Sequence, residues 1–118
     1  IPTLIVGLAT QRETDGLALS SRNMYLSEKE RKIAPKIYSS LLLAAEVLKT
    51  KFNNFEKVRR ECIVELESLG MRVEYFELRR AFDLGSPQEN DQSFIILIAV
   101  WLGKARLIDN IAVELQSI

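Results

Sequence analysis

The sequence contains no histidine and a single cysteine, Cys62, among its 118 residues. A lone cysteine cannot form an internal disulfide, and a free thiol is typical of a reducing compartment such as the cytoplasm. Because histidine and cysteine are the preferred ligands of transition metals, their scarcity leaves no ligand set for such a metal. Without a histidine to activate it, Cys62 is better interpreted as a buried structural thiol than as a nucleophile.

The chain also lacks an excess of charge of either sign and a long apolar run. Its 16 basic and 16 acidic residues cancel, so nothing indicates nucleic acid or an anionic membrane as a partner. The longest apolar run, 94–102, has the length of a strand, whereas a membrane-spanning helix needs about 20 apolar residues. The N-terminus has neither a start Met nor a signal peptide, so we expect one domain cut from a longer protein.

A capping box predicts where the first helix begins. The Ser27 hydroxyl can accept from the amide of Glu30, whose side chain can accept from the amide of Ser27, so the helix should start at residue 28. Pro35 follows within two turns and cannot donate a helical hydrogen bond. We therefore expect either a kinked helix, or a short helix over 28–33 followed by a longer one with Pro35 in its first turn.

Apolar stripes at helical spacing predict two further helices. The stripe of the first comprises Ile37, Leu41, Ala44 and Leu48, widened by Leu42 and Ala45. The stripe of the second comprises Phe55, Val58, Cys62, Leu66 and Leu69. We expect the first to end near Lys51, and the second to begin after an N-cap at Asn54 and end at a left-handed Gly70.

The second half of the chain predicts strands. Apolar and charged residues alternate over 71–75 and then shift phase by one residue, as at a β-bulge or a strand end. The continuously apolar segment 94–102 indicates a central strand covered on both faces. Gly103-Lys104 predicts a tight hairpin to a partner strand over 106–115. The predicted fold is α+β, with helices on one face of an antiparallel sheet of about three strands.

The stretch from Asp15 to Asn23 carries the clearest chemical content. Asp15-Gly16 is a turn dipeptide, after which Ser20 and Ser21 offer hydroxyls and an open loop offers backbone N–H groups. Arg22 adds a permanently charged fork of donors that suits phosphate oxygens. Together these groups can wrap a phosphate. The alternative is an ordinary solvated loop, because the spacing matches neither a P-loop nor a dinucleotide-binding motif.

A family resemblance favours the phosphate interpretation. The stretch Asp15-Gly16-Leu17-Ala18-Leu19-Ser20-Ser21-Arg22-Asn23, followed by Tyr25-Leu26-Ser27, resembles the signature loop of the pantothenate synthetase (pantoate–β-alanine ligase) family. The likeness continues in residues 31–35, 99–103 and 105–110 and so spans most of the chain. It implies the C-terminal domain of a nucleotidyltransferase-superfamily ligase, which condenses pantoate with β-alanine through pantoyl adenylate in the pathway to coenzyme A.

The resemblance also implies roles for particular residues. Leu19-Ser20-Ser21-Arg22 would occupy the place of a KMSKS-type loop, although this version has no Lys. Ser21 and Arg22 would be catalytic, and Leu19, Ser20, Ser21 and Arg22 would bind ATP. Gln11 would meet the adenine through its backbone, at a position where the family usually has a β-branched apolar residue. The HIGH-type motif, the pantoate glutamines and the Mg²⁺ contacts would belong to a Rossmann-like N-terminal domain, which this sequence lacks.

These implications define the expected organisation. Residues 1–26 would form an extended lead-in and the ATP loop, and 27–118 the C-terminal α+β domain. The isolated chain should be inactive, and the parent enzyme should be a cytoplasmic homodimer that binds neither nucleic acid nor membrane. The competing hypothesis is a non-enzymatic α+β module for self-association. A weaker third one is an appendage like those of tRNA synthetases, which the neutral charge disfavours.

The remaining polar residues are left with two interpretations each. Arg79-Arg80 forms either a solvated strand edge, which we favour, or an anion site. The polar residues of 106–110 either pair internally, which we favour, or touch another domain. Arg12, just before the turn, either supports the loop or is simply exposed.

Overall fold

The computed structural model describes residues 11–50, 54–88 and 91–115. A 3₁₀ helix, Ser21–Tyr25, comes first. It is followed by the helices α1 (Glu28–Ile33), α2 (Lys36–Thr50) and α3 (Phe55–Ser68), and by the strands β1 (Arg72–Arg80), β2 (Ser93–Leu102) and β3 (Ala105–Glu114). The strands form one antiparallel sheet in the order β1-β2-β3. No helix in the described ranges is long and apolar enough to cross a membrane.

The junction between α1 and α2 follows from the capping box and the proline. Ser27 Oγ accepts from the Glu30 amide at 3.1 Å, and Glu30 Oε1 accepts from the Ser27 amide at 2.9 Å. The predicted helix start at residue 28 is therefore confirmed. The chain forms two helices rather than one kinked helix, and Pro35 lies just before α2 instead of inside its first turn. Its carbonyl accepts from the Ser39 amide, which begins the α2 hydrogen-bond pattern.

The predicted helical stripes form most of the helical side of the core. On α2, the residues Ile37, Leu41, Ala44, Ala45 and Leu48 are buried. On α3, the buried residues are Phe55, Val58, Cys62 and Leu66. The prediction was wrong for Leu42, which is 43% exposed, because its position in α2 lies beyond the edge of the buried face. Leu69 is only half-buried, since it is the C-cap of α3 rather than part of its stripe.

The two ends of α3 differ in how well the sequence predicted them. Asn54 occupies the N-cap, but its side chain makes no capping hydrogen bond, so the expected contact is absent. At the other end Gly70 has φ +99°, as expected. The amide of Gly70 donates to the carbonyl of Glu67, and that of Met71 donates to Leu66, which is the Schellman pattern.

The sheet confirms the predicted bulge and hairpin. Between β1 and β2 the register shifts at Glu74, which is the extra residue of a β-bulge. Leu102 pairs with Ala105 around a two-residue turn in which Gly103 has φ +60°. The helices α2 and α3 pack on one face of the sheet, α2 mainly against β3 and α3 against β1.

Strand β2 is central but is covered by helices on one face only. The side chains that join the core with α2 and α3 are Phe94, Ile96, Ile98, Val100 and Leu102. The expected central position of the strand is therefore confirmed, but the expectation that both of its faces are covered was wrong for the face away from the helices. On the opposite face Ile95 and Ala99 are buried, whereas Leu97 and Trp101 are half-buried. Residues 1–10 of the predicted lead-in and the predicted helix end at residue 51 lie outside the described residues.

The contrast between adjacent leucines on α2 gives a test of the core. Leu41 is fully buried, so Leu41→Ala should lower the free energy of unfolding by about 2–5 kcal/mol. Leu42→Ala is the matched control, and it should change the free energy of unfolding by less than about 0.5 kcal/mol because Leu42 is exposed. Urea denaturation of both variants measures the difference. Equal losses would contradict the packing of α2 described above.

Candidate functional site

The loop predicted to hold phosphate is a short hairpin followed by the 3₁₀ helix. The Leu19 amide donates to the Gln11 carbonyl at 2.8 Å, and the Glu13 amide donates to the Leu17 carbonyl at 2.8 Å. Between these two bonds Arg12 and Ala18 form a non-hydrogen-bonded antiparallel pair. The predicted turn at Asp15-Gly16 is present. The hairpin therefore carries the chain back and delivers residues 20–22 at its end.

Ser20 organises the start of the 3₁₀ helix. Its backbone is extended, and its Oγ accepts from the Arg22 amide at 3.0 Å. Its carbonyl accepts from the Asn23 amide at 3.1 Å. The amide of Arg22 is thus already engaged, so the expected set of free loop donors is smaller than the sequence indicated. The amides of Ser20 and Ser21 have no protein acceptor within the described part of the chain.

The five predicted site residues lie together at the surface. Gln11, Ser20, Ser21 and Arg22 are exposed, and the side chain of Leu19 is 49% exposed. Within residues 11–50, 54–88 and 91–115, the guanidinium of Arg22 has no hydrogen-bond or ion-pair partner. The Gln11 carbonyl accepts from Leu19 and keeps one lone pair for another donor. The loop therefore presents one uncommitted cation beside two hydroxyls.

Asn23 connects this exposed tip to the hairpin beneath it. Its Nδ2 donates to the Ala18 carbonyl at 3.0 Å, while its Oδ1 is buried without a protein donor. A cavity of about 10 Å³, room for a single water molecule, lies next to it. The polar residues that line this cavity are Ser20, Asn23 and Asp109.

The base of the loop is held by Arg12, for which the sequence left two interpretations. Its guanidinium makes a bidentate ion pair with Asp109 on β3, at 2.6 and 2.8 Å. It also donates to the carbonyls of Gly16 and Asn110, at 3.1 and 3.2 Å. The guanidinium carbon Cζ lies over the ring of Tyr38 on α2, 3.8 Å from its centroid. Arg12 supports the loop, and the favoured internal role of Asp109 is confirmed.

A second, more exposed ion pair holds the turn from outside. Arg31 on α1 donates to Asp15 at 2.7 Å, and both side chains are at least one-third exposed. The hydrogen bond from Arg31 lowers the pKa of the Asp15 carboxyl below its ordinary value, and the same bond raises the pKa of Arg31. This pair adds orientation to the turn, although solvent screens most of its strength.

Three further arginines of the sheet are also paired with carboxylates of this chain. Arg106 makes a bidentate ion pair with Glu74, which also accepts from the indole N–H of Trp101, and the hydrogen bond from Arg106 lowers the pKa of Glu74. Arg79 pairs with Glu77. Arg80 donates to Asp91 at 3.1 Å and stacks on a phenylalanine ring. The strand-edge interpretation of Arg79-Arg80 is therefore preferred to an anion site.

Comparison with known proteins decides the family. The model of the family described as pantoate-beta-alanine ligase matches residues 1–112. The chain belongs to this family. The resemblance drawn from the loop and from the 105–110 segment is thereby confirmed.

Individual relatives agree with the family match. The pantothenate synthetase of Marinomonas sp. is 49% identical over 94% of this chain, and that of Nitrosococcus oceani is 43% identical over 100%. A crystal structure of pantothenate synthetase from Thermus thermophilus superimposes with a TM-score of 0.78 at 34% identity over 90% of this chain. The chain covers 39% and 41% of the two curated relatives and 38% of the solved structure. It therefore corresponds to about two fifths of these ligases.

The sequence motif indicated the exposed residues 20–22 of the loop. It did not indicate the cluster of Arg12, Asp109 and Tyr38 that holds the base of the loop. Arg12 and Asp109 are 97 residues apart, and no periodicity links them. The available signal was weak: an arginine directly before a turn, and an aspartate inside the matching segment 105–110. Tyr38 gave no signal, because a half-buried aromatic on a helix is ordinary packing.

Gly16 gives a test of how closely the turn approaches α2. It has φ +97°, and a Cβ built there would lie 2.6 Å from Cδ2 of Tyr38. Gly70 has a similar φ of +99° but open space around it, so Gly70→Ala is the matched control. Gly70→Ala should lose about 1–2 kcal/mol of unfolding free energy from backbone strain alone. Gly16→Ala should lose more, and equal losses in thermal or urea unfolding would contradict the contact.

The Asp15–Arg31 ion pair can be tested through the pH at which the Asp15 carboxyl is protonated. Because the folded pKa of Asp15 is lowered, the contribution of this pair is complete at neutral pH and is lost as the pH falls through that pKa. An NMR titration of the Asp15 carboxyl should therefore show protonation below the ordinary aspartate range. Arg31→Gln should move the titration upward, whereas Lys32→Gln on the same helix should leave it in place. A titration unaffected by Arg31→Gln would contradict the pair.

Proposed function

We propose that the full-length protein containing this chain is an ATP-dependent pantoate–β-alanine ligase. The observation that carries this proposal is the family match over residues 1–112. In the first step a carboxylate oxygen of pantoate attacks the α-phosphorus of ATP, and the bond to pyrophosphate breaks. In the second step the amine of β-alanine attacks the acyl carbon, loses a proton and displaces AMP, which leaves pantothenate.

We further propose that the exposed loop grips the polyphosphate during the first step. Negative charge develops on the departing pyrophosphate, and preplaced donors stabilise such charge best. Arg22 is suited to this because its guanidinium has no partner among the described residues. The hydroxyls of Ser20 and Ser21 and their unpaired amides supply neutral donors around the same anion. Leu19 and the remaining carbonyl lone pair of Gln11 would face the nucleotide beside them.

This chain supplies only part of such a site. The described residues contain no group of three or more His, Cys, Asp or Glu side chains that could hold a metal ion. We assign no Mg²⁺ ligand and no step through Mg²⁺ to these residues. In the proposal, the Mg²⁺ contacts and the pantoate site belong to the part of the ligase that this chain does not span. The proposed homodimer and cytoplasmic location rest on the family resemblance alone.

The alternative of a non-enzymatic self-association module has no support. Each of the relatives described above carries the name of the ligase, and they match the chain almost from end to end. The guanidinium of Arg22 has no partner among the described residues, whereas those of Arg12 and Arg31 each form an ion pair.

The proposal predicts a large effect of Arg22→Ala in the full-length protein. Removing one preplaced donor from a developing oxyanion typically slows a reaction by about 10²–10³-fold. Pyrophosphate exchange into ATP, measured with pantoate present, should fall by that factor. Lys29→Ala is the control, because Lys29 is an exposed cation seven residues further along the chain on α1. Unchanged exchange in Arg22→Ala would refute the role given to the loop.

A further inference from the structure

We infer that Arg12 is a positioning residue for the adenylation step, acting by fixing where the Ser20–Arg22 segment lies. The inference rests on the proposed function and adds to it a residue outside the signature motif. Arg12 does not reach the loop tip itself. Its guanidinium contacts the turn of the hairpin through the Gly16 carbonyl, and it contacts strand β3 through Asp109.

The ion pair is built as an internal anchor rather than a surface contact. The side chain of Asp109 is 3% exposed and that of Arg12 is 16% exposed, so both charges are largely removed from water. Two desolvated charges are tolerated only when geometry and further hydrogen bonds satisfy them. The bidentate contact and the Asn110 carbonyl provide those bonds.

The guanidinium of Arg12 also packs against an aromatic ring. The Tyr38 ring on α2 lies against it at 3.8 Å, and the same ring lies where a Cβ on Gly16 would be. Helix α2, strand β3 and the turn therefore meet on one planar group. A lysine cannot reproduce this, since its ammonium has neither the fork geometry nor the planar face.

A short chain of contacts links Arg12 to the Ser20–Arg22 segment. Arg12 pairs with Ala18 across the hairpin, and the Ala18 carbonyl accepts from the side chain of Asn23 within the 3₁₀ helix. Asp109 and Ser20 line the same small cavity. A shift of Arg12 would therefore shift Ala18 and the serines that follow it. A displacement of about 1 Å at a reacting group can lower a rate by about 10²-fold.

The test is Arg12→Lys in the full-length protein. The pantoate-dependent pyrophosphate exchange should fall by about 10²-fold, as expected for a displaced loop. The capture of preformed, enzyme-bound pantoyl adenylate by β-alanine should keep its single-turnover rate, because pyrophosphate has already left. The control is the same substitution at an arginine away from the loop, Arg60→Lys on α3, which should change neither rate because the Arg60 side chain is 69% exposed.

A second pair of variants keeps the inference testable if Arg12→Lys does not fold. Tyr38→Phe retains the ring and should leave pyrophosphate exchange unchanged. Tyr38→Leu removes the ring face and should slow exchange while sparing capture by β-alanine. Active-site titration corrects each rate for the fraction of folded enzyme.

Two results would overturn the positioning role. One is unchanged exchange in both Arg12→Lys and Tyr38→Leu. The other is an equal loss in both corrected half-reaction rates, which would show that the cluster does not act selectively on the step in which pyrophosphate leaves. Failure of the proposed function is distinguishable from both, since it would appear as no pantoate-dependent pyrophosphate exchange in the unsubstituted full-length protein.

Discussion

The arrangement of this chain depends on one buried charge, the carboxylate of Asp109. An unpaired carboxylate at 3% side-chain exposure would be strongly destabilising, so the fold must bring a cation to it. The cation comes from Arg12, which is 97 residues away in sequence. By satisfying Asp109, Arg12 places the first turn of the described chain against the last strand. That contact therefore holds the base of the loop against β3.

Features set by neighbouring residues could be predicted from the sequence. The capping box at Ser27 and Glu30 fixed the start of α1, because both hydrogen bonds join residues three apart. Gly103-Lys104 located the hairpin, because a two-residue turn needs a residue that accepts positive φ. The phase shift in β1 indicated the bulge at Glu74, because side chains alternate between faces along a strand.

Features set by distant partners could not be predicted. Leu42 fits the apolar stripe of α2, yet it is exposed because only the packing of that helix on the sheet decides where the stripe ends. Asn54 has the right position and type for a cap, but its side chain does not make the bond. In the loop, the family motif indicated Ser20, Ser21 and Arg22 as candidate site residues, whereas the contacts of Arg12 with β3 and α2 became visible only in the structure.

Some arginines around the loop form ion pairs within the chain and one does not, and this difference fits the chemistry proposed for the loop. Arg12 and Arg31 are committed to carboxylates at the base and side of the hairpin, and their charges are locally neutralised. Arg22 has no such partner among the described residues. A group that must bind a polyanion and then release it should not compete with an internal carboxylate, but it must start from a fixed place. The buried Arg12–Asp109 pair fixes the base of the loop, and Arg22 at its exposed end stays free to bind an anion. This division of roles is consistent with a buried ion pair that lies beneath the loop rather than within it.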